Sequence, residues 1–180
     1  MLRKINILLI IGMFITFLLH AVFGSLQIMG IGNTSLKICA WILVGFITLH
    51  VIVSTILTVK TFIAIKKSGA SYFGKNKIFW VRRFSGLLIV FCMIFHIVIF
   101  IQKNSEAYRL TNFDTFVLIN HILLVLTIAL HVISNVKPMI ISLGIKSIKE
   151  FSIDILFVLC FVLLFIIIAF IIYYIRWQAI

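Results

Sequence analysis

Histidine is the residue type whose placement in this chain asks for chemistry. Four of the five histidines, His20, His50, His96 and His131, lie one apiece in four successive apolar runs, and His121 shares the run of His131. The stretch 79–100, FWVRRFSGLLIVFCMIFHIVIF, shows the pattern most sharply: an arginine pair opens it, an apolar run follows, and His96 sits near its far end. An imidazole inside such a run is costly unless it is hydrogen-bonded or ligated. Pairs of imidazoles from different helices are what axial ligation of haem iron requires, and four of them would serve two haem groups.

The elements that must position these rings follow from composition. Of the 180 residues 64% are hydrophobic, 11% are charged and one is proline, too little polar surface for a soluble domain. The expectation is an all-α membrane protein, one transmembrane domain over 1–180, with five transmembrane helices at about 5–24, 38–59, 84–101, 116–136 and 153–175. The first run is too long for a signal-peptide core, and His20 and Phe23 make a poor cleavage site, so it reads as a helix. Gly30, Gly32 and Asn33 mark a polar turn after it. The second run stays helix-compatible through 60–67, and Gly69 and Gly74 break any longer helix. The fourth is expected to stop at Lys137-Pro138, because proline cannot continue a helix without losing a backbone bond. Segment 139–149 then reads as interfacial. The fifth span has no histidine and is almost pure Ile, Leu, Phe and Val. It reads as a peripheral, lipid-facing helix beside a four-helix haem-binding bundle.

The net charge of +12 does not point to nucleic acid, because the cations avoid the runs and collect in alternate loops. The N-terminus, second link and fourth link hold twelve Lys or Arg, against four in the other exposed segments. That bias predicts a cytoplasmic N-terminus and an outside C-terminus in the cell's inner (cytoplasmic) membrane. Cys39, Cys92 and Cys160 match no metal or disulfide spacing and read as small buried hydrophobes.

A rise of about 1.5 Å per residue converts position into depth. His20 and His96 fall roughly 6–8 Å from the outer ends of their spans, and His50 and His131 roughly 18–22 Å from the same face. Two layers result, each drawing one histidine from each of two helices. His121 shares the outer layer, but ten residues from His131 it points some 80° away. It reads as a flanking polar group at a quinone pocket, or as a hydrogen-bond donor to a neighbouring helix's carbonyl. Asp154, at the edge of the fifth, is the one acid within the spans, against a proton pump or ion-coupled transporter, and bis-imidazole coordination leaves zinc underfilled.

With these residues in view, the chain resembles the cytochrome b membrane anchors of succinate dehydrogenases and fumarate reductases, of the single-chain, five-helix, two-haem kind. The resemblance rests on one histidine in each of the first four spans and none in the fifth, on Arg82-Arg83, Ser85-Gly86 and His96 in the third, and on overall length. It covers the whole chain as a layout and is close in residues only from Arg82 to His96. It implies that His20 and His96 hold an outer haem b and His50 and His131 an inner one. It also implies that Arg82, Arg83 and Lys75 neutralise haem propionates, and that electrons pass between a cytoplasmic iron–sulfur subunit, bound to a flavoprotein, and membrane quinone. Relatives using menaquinol near the outer face are expected to carry a membrane carboxylate there; here the only outer acids are Glu106 and Asp114. Asp114 with His121 is the expected proton-handling and quinone-binding pair, with Gln27 the other place to look. Such a chain is an electron-transfer subunit, not a complete enzyme. The competing readings are the cytochrome b subunit of a hydrogenase, formate dehydrogenase or ferric reductase, and a non-haem assembly or transport protein.

Overall fold

The computed structural model describes residues 2–31, 37–69, 76–101 and 113–178. Gly32, Asn33, Gly74, Lys75 and the 102–112 part of the third loop, with Glu106, lie outside the described residues. Within those described, the chain folds into five α-helices: α1 Leu2–Ile28, α2 Lys37–Ser68, α3 Lys77–Ile101, α4 Thr115–Ser142 and α5 Ile148–Gln178. Each is long and apolar enough to cross a membrane, so the chain is an all-helical, multi-pass membrane protein.

The helix ends follow local chemistry. α1 closes at Gly30, which adopts the left-handed φ of 81° while the Ile31 N–H donates to the Leu26 carbonyl at 2.9 Å. α2 continues through the 60–67 stretch and stops at Gly69, where φ is 65°. α3 begins at Lys77, with the Asn76 side chain accepting from the Phe79 N–H at 3.2 Å, so the Arg82-Arg83 pair stands on a helix rather than in the link. Asp114 caps α4, its Oδ1 accepting from the Val117 N–H at 2.9 Å.

The expected stop at Lys137-Pro138 is not where α4 ends. The helix carries Pro138 inside it and runs on to Ser142. Proline at 138 has no N–H for the Ser134 carbonyl one turn back, and Arg82 Nε donates to that carbonyl instead, at 2.8 Å. A cation from α3 thus fills the bond that proline removes. Segment 139–149 is accordingly not one interfacial piece: it is the last turn of α4, a turn with Gly144 at φ 75°, and the start of α5.

α1 packs on α2 and α5, and α4 packs on α3 and α5, while no comparable packing joins α2 to α3 or one of these pairs to the other. The fold is therefore two helical hairpins, α1–α2 and α3–α4, joined along one side by α5 and separated elsewhere by a slot. The main buried cluster lies at that junction, where Leu159, Val162, Ile166, Ala169 and Phe170 of α5 meet Ala21 and Ile28 of α1 and Val117 and Val125 of α4. α5 is thus a packing partner of both hairpins, not a peripheral helix. A third (33%) of its apolar stretch is buried, against 6% in α1 and α2. Its opposite face, with Phe157, Phe161 and Leu164, is exposed and suits lipid. Of the cysteines only Cys92 is fully buried; Cys39 is half-buried, its thiol donating to the Thr16 carbonyl at 3.6 Å, and Cys160 is exposed.

Candidate functional site

The slot between the hairpins carries the histidines. His20 on α1 and His96 on α3 face each other across it, with ring centroids 6.0 Å apart and ring planes at 88°. Two imidazoles bound on opposite sides of one metal, with metal–nitrogen bonds of about 2 Å, would have centroids about 6 Å apart. Both rings line a cavity of about 440 Å³ to which all five helices contribute, including Phe17 and Gln27 of α1, Trp41 of α2, Met93 of α3, Val125 of α4 and Phe170 of α5. That volume lies in the usual range for cofactor sites, about 300–1,000 Å³.

The deeper layer is built differently. The His131 ring on α4 meets Ser85 of α3 at 3.0 Å, Nδ1 to Oγ. The Ser85 hydroxyl donates to the Arg82 carbonyl at 3.3 Å, so its oxygen accepts from His131 Nδ1–H and leaves Nε2 with its lone pair free. Gly86 makes room for the ring: a Cβ there would stand 3.3 Å from His131 Cε1. His50 on α2 lies within electrostatic reach of both His131 and Arg83. Its Nδ1 is buried without a hydrogen-bond partner. Arg83 crosses the slot, donating from Nη1 to Ser54 Oγ on α2 at 2.9 Å, with its guanidinium 5.1 Å from the Phe79 ring centre. Among the described residues no carboxylate pairs with Arg82 or Arg83.

Ser54 and Ser134 are residues that histidine spacing alone does not disclose. Ser54 follows His50 by four residues and so shares its helix face, a signal available in the sequence. Ser134 follows His131 by three residues and precedes Pro138 by four, so its place is legible, but its partner Arg82, 52 positions away, is not.

The expected quinone residues are not gathered into one place. Gln27 lines the cavity. Asp114 is exposed, with one carboxylate oxygen engaged as the α4 cap. His121 is fully buried, two turns further along, and donates from Nδ1 to the Val117 carbonyl at 2.7 Å. The bond is to its own helix rather than a neighbouring one. Asp114 and His121 thus hold the two ends of the Val117 peptide and do not touch. The His121 ring packs against Phe100, Phe113 and Phe170, and stands 5.1 Å from His96.

The donor set fits axial ligation of haem better than a bare metal ion. Each layer offers two imidazoles, and no group of three or more His, Cys, Asp or Glu gathers among the described residues. A macrocycle that already supplies four nitrogens needs only such a pair. Comparison with protein-family models, with curated proteins and with solved structures finds no match.

Proposed function

We propose that this chain is a dihaem cytochrome b membrane anchor of the succinate dehydrogenase/fumarate reductase kind. The observation that carries the reading is the facing of His20 and His96 at 6.0 Å across a slot that direct helix packing leaves open. The second pair, His50 and His131, supports it one layer deeper. Haem b held by these two histidine pairs would supply reversible one-electron carriage rather than substrate binding.

The chain's own residues hold and orient. His20 and His96 serve the outer group, His50 and His131 the inner one. Ser85 fixes the His131 tautomer, and Gly86 lets that ring approach α3. Arg83, which has no acid partner among the described residues, is the natural counter-charge for an inner propionate. Arg82 is already committed through Nε to the Ser134 carbonyl and offers only its remaining N–H groups. The basic ends of α2 and α3 face the cytoplasm in the orientation set by the charges and would dock the iron–sulfur subunit and its flavoprotein. Quinone, of the menaquinone type, would exchange electrons near the outer layer, where Gln27 lines the cavity, with Asp114 and His121 at the adjacent end of α4. A reduced-minus-oxidised difference spectrum of membranes bearing the chain tests the reading: a b-type α-band is expected, and none would overturn it.

A further inference from the structure

His121 has a role that neither ligation nor a quinone pocket supplies. Its ring is fully buried, and the Val117 carbonyl can only accept, so Nδ1 carries the proton and Nε2 carries a lone pair. That Nε2 is buried with no hydrogen-bond partner. The neighbouring His96 ring, 5.1 Å away, has the complementary defect: its Nδ1 is also buried and unpartnered. A hydrogen bond of about 2.9 Å between ring nitrogens places two imidazole centres about 5 Å apart, so the spacing already matches. Leaving both nitrogens unpaired in an apolar surround would cost the desolvation of each.

We propose that His96 Nδ1–H donates to His121 Nε2, closing a chain that runs from His96 through His121 to the Val117 carbonyl. His121 is then a positioning residue for the outer ligand, as Ser85 is for the inner one, and this role rests on the haem reading given above. The bond fixes the His96 tautomer with Nε2 directed away from His121, toward the slot and His20. It also leaves His96 a more electron-rich ligand, because an acceptor on the far nitrogen raises the basicity of the ligating one. Such a ligand favours the oxidised iron and lowers the reduction potential of the outer site. Phe100, Phe113 and Phe170 pack against the His121 ring, and both nitrogens are buried.

Two measurements test this on the full chain as purified. Nitrogen-15 NMR of histidine-labelled protein, reduced so that any bound bis-imidazole haem is diamagnetic, should show one imidazole N–H scalar-coupled to a second imidazole nitrogen. This readout needs no variant and does not depend on haem. Absence of the coupling overturns the proposal. Coupling in a chain without an α-band upholds the histidine pair and overturns the haem reading instead. Redox titration then asks for the consequence. His121→Phe, which keeps an aromatic ring but no acceptor, should make reduction of the outer site about tenfold more favourable, about 59 mV for one electron. The inner site should not move. His121→Gln, whose carbonyl oxygen can still accept, should restore most of the shift. Equal displacement by Phe and Gln, or none by Phe, would overturn the proposal.

Discussion

Around His20 and His96 the walls of the slot are aromatic and aliphatic, with Phe17, Trp41, Phe100 and Phe170 among them. Around His50 and His131 they are hydroxyls and guanidinium groups, from Ser54, Ser85, Arg82 and Arg83. Both layers draw one ring from each hairpin, yet the walls around the rings differ. The inner ring of His131 is held by a hydrogen bond and a missing side chain at Gly86; the outer pair sits in a box of packed rings. Outside the His96–His121 contact, mostly apolar walls respond to volume. A polar layer responds to the loss of single bonds.

The largest effects should separate the layers outright. His50→Ala or His131→Ala should remove the inner haem, and His20→Ala or His96→Ala the outer one, each halving the haem content of the purified chain. His121→Ala should retain both. Loss of the outer group in His121→Ala, with His96→Ala sparing it, would reassign the ligand. Gly86→Val comes next. A Cβ added at this position would stand 3.3 Å from the His131 ring, so branching should displace the ring and empty the inner site. An unchanged two-haem spectrum would show that the ring can retreat.

Ser85→Ala should weaken the inner site about 10–100-fold, the usual effect of removing an outer-shell partner of a ligating histidine. The outer site should be unaffected, as measured by haem retention during detergent dilution. Arg82→Ala leaves the Ser134 carbonyl unpaired, at a cost of about 1–3 kcal/mol. Adding Pro138→Ala should recover most of it, because alanine returns the missing N–H. Additive losses in thermal unfolding would refute that coupling. Asp114→Ala should cost about 1 kcal/mol through the lost α4 cap. A collapse of either haem site in that variant would give Asp114 a second task.

Much of this was legible in the residues. The five apolar runs mark all five helices, and their rise converts sequence position into two histidine depths without a contact being known. The misjudged features have one physical origin: the compensating partner is distant or chemically silent. Pro138 reads as a helix stop because the guanidinium that replaces its N–H comes from α3, 52 positions before Ser134. α5 reads as peripheral because lipid and protein core are equally apolar, so no periodicity separates its buried face, with Leu159 and Ala169, from its exposed one. The contact of His121 with His96 is hidden in the sequence as well, because it depends on how α3 and α4 pair.

Haem content per chain tests the central claim most directly. A pyridine haemochrome assay on the purified protein, normalised to quantitative amino-acid analysis, is expected to give two haem b per chain. One per chain would contradict the two-layer pairing, and none would contradict the functional reading as a whole.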